Sequence, residues 1–244
     1  MDAQRSPAEW HDWTREHAEG EGAELFGVAD LTAAEGLETD PAELFTGMGR
    51  ALVVGVTLAD AAVDQCETGP TPLYHHVYAL ANQKLDLITF GLAGAVQRAG
   101  FRALPLPASM LVNRTTLAGN VSYKALGRLA GLGWQGKSLL LVSPEHGPRF
   151  RMGVVLTDLP VAADGPVRNR CGSCTSCTDA CPAGAIKNVN TEDHYASRDE
   201  AIDFAKCASM CMEVFAKRPL IDKPICGVCV RACPWGAKTA GASG

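Results

Sequence analysis

The chain has no hydrophobic run long enough to span a membrane. Although 47% of its 244 residues are hydrophobic, no stretch approaches the roughly 20 apolar residues that a spanning helix needs. Its first residues, M-D-A-Q-R-S-P-A-E-W, also lack the basic segment, apolar core and cleavage site of a secretory leader. We therefore expect a cytoplasmic protein with no membrane partner, in a reducing compartment where disulfides are rare.

Acidic residues are almost missing from the middle of the chain. Residues 98–151 contain 8 bases and a single acid, Glu145, whereas residues 1–60 contain 13 acids and 3 bases. Such a positive region can attract the phosphate of a cofactor or the backbone of a nucleic acid. Because the bases are spread over several predicted elements and form no run, the pattern favours a phosphate-bearing cofactor and disfavours a nucleic-acid partner.

The hydrophobic pattern predicts an α+β layer architecture for the first 160 residues. Helices are predicted at 7–19, 73–99 and 120–131, and strands at 27–31, 51–58, 101–106, 138–143 and 151–158. A joint rich in Pro and Gly, 160–166, then divides the chain into domains 1–160 and 161–244. The tail at 239–244 is expected to be disordered.

Nine of the ten cysteines fall in the last third of the chain, mostly in two runs. These runs are C-G-S-C-T-S-C-T-D-A-C-P (171–182) and C-G-V-C-V-R-A-C-P (226–234). In two-cluster modules of the bacterial type, three thiolates at C-x2-C-x2-C hold one [4Fe–4S] cube, and the cysteine before proline binds the other cube. Zinc is the alternative, but it requires neither the third cysteine nor the one before proline. The runs therefore predict two [4Fe–4S] clusters.

The crossed arrangement assigns most of the iron ligands. The first cluster takes Cys171, Cys174, Cys177 and Cys233, and the second takes Cys181, Cys226, Cys229 and one cysteine from the segment between the runs. That last ligand is Cys207 or Cys211, which share one face if the segment is helical, and we favour Cys207. Cys66 stands apart from both runs and is expected to be an ordinary thiol.

The string G-L-G-W-Q-G-K-S (131–138) satisfies both the phosphate-loop pattern G-x4-G-K-[ST] and the dinucleotide pattern G-x-G-x-x-G. A phosphate loop runs from a strand to a helix, whose N-terminus holds the phosphate. Here a predicted helix precedes the loop and a predicted strand follows it. The order of elements therefore argues against an ATP site.

Three segments in sequence resemble the epoxyqueuosine reductase and reductive dehalogenase superfamily, in particular its short members with two clusters. They are A-G-L-G-W-Q-G-K-S-L-L-L-V-S-P-E-H-G-P-R-F-R (130–151), V-L-T-D-L-P (155–160) and the first cysteine run. The resemblance implies a nitroreductase-like cobalamin-binding domain followed by a ferredoxin-like module with two [4Fe–4S] clusters. An external donor such as ferredoxin or flavodoxin would supply electrons, which the clusters would pass to a base-off cobalamin.

The resemblance also implies the cobalamin contacts. They are Gly133, Trp134, Gly136, Lys137, Pro144, Gly147, Pro148 and Arg149. Glycines permit close approach of the backbone to a wide ring, and Lys137 either contacts the cofactor or bonds a carbonyl in a tight loop. No D-x-H-x-x-G string is present, so no histidine ligand of that kind is expected.

The chain departs from epoxyqueuosine reductases at the position of their proton donor. Those enzymes carry an aspartate upstream of the loop, whereas residues 112–124 contain no acid. We nominate Tyr123 as proton donor and Lys124 as the charge that tunes it, although Tyr123 also fits a half-buried helix residue with a satisfied hydroxyl. The missing acid, and a chain that stops soon after Trp235, disfavour tRNA modification.

Three functions are therefore compared. The leading hypothesis is a cobalamin-dependent iron–sulfur reductase that acts on a small organic molecule. The second is an electron-transfer protein that reduces a partner, such as a corrinoid protein, and holds no corrinoid itself. The third is an ATP-driven iron–sulfur protein that uses the loop at 131–138.

Overall fold

A four-stranded sheet organises the N-terminal part of the chain in the computed structural model, which describes residues 5–113 and 115–236. The strands are β1 (Leu25–Asp30), β2 (Arg50–Thr57), β3 (Ala103–Leu106), β4 (Trp134–Gln135), β5 (Leu141–Val142) and β6 (Phe150–Thr157). The large sheet has the order β1-β2-β6-β3, and β4 and β5 form a separate pair. Both outer pairs are antiparallel, with Val28 opposite Leu52 and Leu104 opposite Leu156.

Helices connect and cover these strands. They are α1 (Pro7–Gly20), α2 (Asp60–Val63), α3 (Pro72–Arg98), α4 (Tyr123–Leu129), α5 (Ser176–Asp179), α6 (Arg198–Ala201), α7 (Phe204–Ser209) and α8 (Val228–Ala232). A 3-10 turn occupies Leu31–Ala34, and α7 continues into a π-helical turn, Met210–Val214, and a 3-10 turn, Phe215–Lys217.

The first helix begins where the sequence places its cap. The Ser6 side chain accepts a bond from the Glu9 amide, and the Glu9 carboxylate accepts one from the Ser6 amide. This reciprocal pair satisfies two amides that the first turn leaves without a helical partner. The predicted start at Pro7 is therefore confirmed.

The apolar core follows from the strand sequences. The central run of β2, A-L-V-V-G-V, is buried along its length, as are residues 153–157 of β6. A strand that reads as continuously apolar is covered on both faces, and here α3 contributes Leu85, Ile88 and Leu92 to the buried set. The mixed helix and sheet architecture expected from the sequence is thus confirmed.

The chain divides into two units, each assembled from three segments. Unit 1 comprises Met1–Thr57, Leu80–Trp134 and Arg151–Arg168, and unit 2 comprises Leu58–Ala79, Gln135–Phe150 and Asn169–Gly244. The division at residue 160 expected from the sequence stays a prediction. The tail at 239–244 lies outside the described residues. Within the described ranges, no helix has the length and apolar character to cross a bilayer.

Candidate iron–sulfur centre

Four cysteines of unit 2 line one cavity. They are Cys171, Cys174 and Cys177 of the first run and Cys233 of the second. The empty space between its walls is about 380 Å³ with the open solvent at its mouth included, and its other walls come from residues 136–138, Val142, Pro234 and Trp235. These four cysteines are the set predicted to hold the first cluster; the structure brings them together, and their role as ligands stays a prediction.

A second cavity has five cysteines in its walls, and its empty space is about 440 Å³ with the open solvent at its mouth included. These cysteines are Cys181, Cys207, Cys211, Cys226 and Cys229. The rest of the lining is largely apolar and includes Ile186, Ile202 and Met210, and Ser138 lies on the walls of both cavities. The structure therefore gathers the predicted second ligand set and adds one sulfur to it.

The cysteine sulfurs surround space instead of converging on a point. In the described part of the chain, no three His, Cys, Asp or Glu side chains are close enough to hold a single metal ion. None of the ten cysteines, all of which fall in that part, is in a disulfide. Sulfurs spread over the walls of a cavity match the shape of a polynuclear cluster, whose irons each take their own thiolate.

Burial makes these thiols hard to ionise without a cation. It raises the pKa of Cys226 to about 11, that of Cys233 to about 12, and that of Cys229 well above its ordinary value. Neighbouring cysteines raise all three further. Because iron ligation requires the thiolate, the metal must supply the compensating positive charge, and cluster binding must release protons.

The entry to the first cysteine run is fixed by Asn169, a residue that the sequence did not single out. Its amide nitrogen donates to the Gln135 carbonyl at 3.0 Å and to the Thr191 carbonyl at 2.7 Å. Its side-chain oxygen accepts the Cys171 amide at 2.8 Å. One buried side chain thus joins three segments at the first predicted iron ligand.

Gln135 completes this junction. Its side-chain oxygen accepts the Tyr195 amide at 2.9 Å, and the Tyr195 hydroxyl donates to the Val189 carbonyl at 2.9 Å. Tyr195 packs in a buried cluster with Leu139, Ile186 and Ile202, against which Cys177 and Cys181 lie. Isolated Asn and Gln residues carry no sequence pattern, so only the folded chain identifies them.

Lys137 is directed at the cysteine loop. Its ammonium donates to the Cys174 carbonyl at 2.9 Å, and the residue is only 4% exposed. Of the two roles left open by the sequence, this is the bond to a carbonyl in a tight loop. A hydrogen bond from Ser176 lowers the pKa of Cys174, and the Lys137 charge lowers it further.

The glycines nominated for the cofactor are tightly packed within unit 2. A Cβ at position 136 would lie 2.9 Å from the Val142 methyl and 3.5 Å from the Cys171 sulfur. Gly147 has a φ of 56°, and a Cβ there would lie 1.7 Å from the Trp235 carbonyl oxygen. Both positions therefore require glycine for protein packing beside the first cavity.

Arg149 is buried among its own partners. Its guanidinium lies 2.8 Å from an Asp64 carboxylate oxygen and 3.2 Å from one of Asp60, and its carbonyl accepts the Leu58 amide. Pro148 beside it is buried, whereas Pro144 is exposed. Both ion pairs are made by one terminal nitrogen of the guanidinium, Nη1, whereas its buried Nε has no hydrogen-bond partner among the described residues and is available to a ligand.

The remaining nominated residues lie in unit 1. Gly133 and Trp134 are buried, Trp134 with 1% of its surface exposed. Tyr123 and Lys124 form the first turn of α4 and are half-buried. The Tyr123 hydroxyl donates to the Pro107 carbonyl at 2.8 Å, and burial raises its pKa. Tyr123 thus holds its proton firmly; its catalytic role and that of Lys124 stay predictions.

Cys66 lies beside the second cysteine run. A Cβ at Gly227, which has a φ of 91°, would lie 2.8 Å from the Cys66 sulfur and 2.9 Å from the Tyr74 ring. Burial raises the pKa of Cys66 to about 11. The residue expected to be an ordinary thiol therefore packs against the loop that carries Cys226.

The loop at 131–138 does not have the geometry of a phosphate loop. Helix α4 precedes it and β5 follows it, so no helix begins at its glycines. The amide of Leu139 instead bonds back to the Gly136 carbonyl, and the Gly136 amide bonds to the Leu140 carbonyl. The sequence argument against an ATP site agrees with this turn.

Residues 170–236 match the family model described as a 4Fe-4S double cluster binding domain. The epoxyqueuosine reductase of Salmonella typhimurium is 32% identical over 199 residues, which are 80% of this chain and 50% of that protein. The Escherichia coli epoxyqueuosine reductase is 30% identical over 220 residues, or 86% and 54% of the two chains. The chain thus spans about half the length of these curated relatives.

Solved structures show the same fold. A catabolic reductive dehalogenase with bound 3-bromo-4-hydroxybenzoic acid has a TM-score of 0.74 and 18% identity, covering 96% of this chain and 32% of the other. An epoxyqueuosine reductase with a modified tRNA-Tyr stem loop has a TM-score of 0.58 and 20% identity, covering 93% and 65%. The predicted resemblance to this superfamily, and the prediction of a double-cluster domain, are confirmed.

The expected partners need correction. A small-molecule substrate with no nucleic acid was expected, but a relative of the same fold is solved with a tRNA stem loop. The inference from charge fails because RNA can be recognised by its shape, which needs no basic run. Burial also removes Arg128, Lys137 and Arg149 from the positive surface that composition indicated, so the charge of the sequence is a poor guide to the charge of the surface.

Proposed function

We propose that this relative of the epoxyqueuosine reductases is an iron–sulfur oxidoreductase that delivers electrons through two [4Fe–4S] clusters to a bound cobalamin. The observation that carries the proposal is the pair of cysteine-lined cavities in unit 2, which share Ser138 as a common wall. Electrons from an outside reductant would enter one cluster and pass to the other. Because Ser138 lies on the walls of both cavities, the two clusters would be close together. A short distance between clusters favours electron transfer.

The cobalamin part of the proposal is supported by a relative. A reductive dehalogenase described by its mechanism of B12-dependent dehalogenation has a TM-score of 0.73 with this chain and 18% identity, and this chain covers 32% of it. Unit 1, with its four-stranded sheet, would be the nitroreductase-like layer domain. When bound, the corrinoid would supply a strongly reducing cobalt centre, whose chemistry belongs to the cofactor.

Apart from Arg149, whose buried Nε has no hydrogen-bond partner among the described residues, the residues nominated as cobalamin contacts are better placed to hold the surrounding loops than to bond the cofactor. Lys137 and Arg149 already bond the Cys174 carbonyl and two carboxylates, and Gly136 and Gly147 are held by packing. These residues would fix the loops at 133–137 and 144–149 that face the cofactor. Tyr123, which retains its proton, would donate it to the substrate. Lys124 is the nominated tuning charge, but the cation that lowers the pKa of Tyr123 in the structure is Arg151.

We further propose a tRNA as substrate, because the curated relatives are epoxyqueuosine reductases and one relative is solved with an epoxyqueuosine-modified stem loop. Residues 112–124 nevertheless contain no acid, so the proton would come from a weaker acid such as Tyr123. Reduced protein should convert the modified nucleoside in tRNA, measured by nucleoside mass spectrometry. Unmodified tRNA is the control, and a lack of turnover by cobalamin-loaded protein would contradict the substrate.

A second function is favoured by the Lys137 side chain, whose ammonium already bonds the Cys174 carbonyl. If Lys137 keeps this partner, the chain can be an electron-transfer protein that reduces a corrinoid protein and has no corrinoid of its own. Anaerobic purification discriminates between the two. Cobalt and corrin absorption beside about eight irons per chain support the reductase, and about eight irons alone support the carrier, two four-iron clusters setting that number.

A further inference from the structure

The second cavity holds one cysteine more than a [4Fe–4S] cluster needs. Five cysteines line it, Cys181, Cys207, Cys211, Cys226 and Cys229, whereas four thiolates suffice for such a cluster. Two of the five, Cys207 and Cys211, come from one short helical segment. The structure thus gives no reason to discard either of them.

The helix that carries this pair changes form between its two cysteines. Residues Phe204–Ser209 are α-helical, and Met210–Val214 form a π-helical turn. Asp203 caps the start by accepting the Lys206 amide at 3.1 Å. Single π-turns inside helices are uncommon and occur mostly at functional sites. This turn places Cys211 on the cavity wall together with Cys207.

The two thiols face the same space. Both line the second cavity together with Cys226 and Cys229. Around them the segment has room to adjust, because Met212 and Val214 are about half exposed. Met210, which also lines the cavity, is an unbranched side chain that adapts to small shifts.

We propose that Cys207 and Cys211 are alternative ligands for the same iron of the second cluster. In the exchange, the iron–sulfur bond to Cys207 breaks and one to Cys211 forms. The Cys211 thiol gives up its proton as it binds, and the released Cys207 thiolate takes up a proton. No electron is gained or lost, and no other reactant takes part.

The exchange would give the second cluster two forms. In each form the sulfur that is not bound to iron is a thiol beside the ligand sulfur and can donate a hydrogen bond to it. Hydrogen bonds to cluster sulfurs shift the reduction potential. The pair would also preserve the cluster when one of the two thiols is oxidised. This inference rests on the proposed second cluster and adds its ligand chemistry.

Single and double variants of the anaerobically reconstituted full-length protein test the proposal. Cys207→Ala and Cys211→Ala should each keep about eight irons per chain, and the double variant should keep about four. Two further variants are controls. Cys229→Ala should keep about four irons per chain, whether Cys207 and Cys211 are present or not. Cys66 is a buried thiol outside the cavity wall, so Cys66→Ala should keep about eight irons per chain. Eight irons in wild type with four in Cys207→Ala, or in Cys211→Ala, would overturn the inference.

A second measurement needs no variant. Cys207 and Cys211 fall in one tryptic peptide, residues 207–217, so alkylation of the native holoprotein can be located by fragment mass spectrometry. Exchange predicts singly alkylated peptide as a mixture, some labelled at Cys207 and some at Cys211. A label confined to one position in protein with about eight irons overturns the exchange. Wild-type protein that binds fewer irons instead contradicts the proposed two-cluster function.

Discussion

Single buried polar residues hold the first cysteine loop. Asn169 makes three hydrogen bonds, to Gln135, Thr191 and Cys171. Asn169→Ala should leave those backbone groups without partners and lower the unfolding free energy by about 3 kcal/mol, since each buried orphan costs about 1–3 kcal/mol. Urea unfolding of the cluster-loaded protein measures this loss.

The matched control for that change is Asn169→Asp. It keeps an oxygen for the Cys171 amide but sets a carboxylate oxygen against the Gln135 and Thr191 carbonyls, which repel it. At neutral pH its loss of stability should therefore equal or exceed that of Asn169→Ala. Equal stability of all three proteins would show that the junction contributes nothing to the loop.

Lys137 provides a second prediction at this scale. Lys137→Met keeps the length of the side chain but removes the bond to the Cys174 carbonyl, so the unfolding free energy should fall by about 2 kcal/mol. Iron should also leave the first cluster faster in the presence of a chelator. Lys137→Gln, which retains a donor, should be intermediate; a variant with wild-type iron release would contradict the positioning role.

The sequence revealed the cysteine set but not the side chains that support it. Cysteine spacing follows from the geometry of the cluster, so the two runs alone predict which sulfurs meet, and the structure gathers those sulfurs in two cavities. Asn169 and Gln135 act through contacts between segments far apart in the chain. Such contacts leave no local pattern. For Lys137 the sequence leaves a cofactor contact and a bond to a carbonyl equally open, and only the folded chain identifies the Cys174 carbonyl as its partner.

At the scale of elements, the sequence predicts long helices better than short strands. Helix α3 was predicted at 73–99 and spans Pro72–Arg98, because its pattern repeats over many turns. The strand predicted at 138–143 is reduced to Leu141–Val142. Leu139 adopts a φ of 65° and bonds back to Gly136, which turns the chain. A run of leucines cannot reveal that the backbone reverses within it.

The turn between β4 and β5 should tolerate no side chain at Gly136. Gly136→Ala would press on the Val142 methyl and approach the Cys171 sulfur, and overpacking of this kind costs about 1–3 kcal/mol. Val142→Ala in the same protein removes the methyl that clashes and should recover part of the loss. Thermal unfolding of both variants measures the effect. Gly165→Ala, where nothing lies within 4 Å, is the control.

The cap of α7 should matter for the second cluster. A hydrogen bond from the Lys206 amide lowers the pKa of Asp203, so its stabilising contribution is present at neutral pH and is lost as pH falls through that lowered pKa. Asp203→Ala should weaken the helix that carries Cys207 and lower retention of the second cluster. Asp203→Asn, also a good cap, should retain it; equal iron loss in both variants would contradict the capping role.

At the scale of the whole molecule, the cluster site depends on segments that precede the cysteine runs by many residues. Unit 2 includes 58–79 and 135–150 as well as the C-terminal part. Arg231 of α8 donates to the Asp64 carbonyl and pairs with Glu67, and Arg218 donates to the carbonyls of Thr68 and Pro70. The cysteine runs are therefore built into a larger unit than their spacing indicates.

A chain cut at the boundary expected from the sequence tests this dependence. The fragment 161–244 lacks Gln135 and Lys137, which bond Asn169, Tyr195 and the Cys174 loop, so it should retain fewer than the roughly eight irons of the full chain. Full-length protein cleaved within 160–166 after cluster assembly is the matched control and should keep its irons, since all segments of unit 2 are then present. A fragment 161–244 that binds and keeps about eight irons would show that the module is independent, and that the contacts from 58–79 and 135–150 are dispensable.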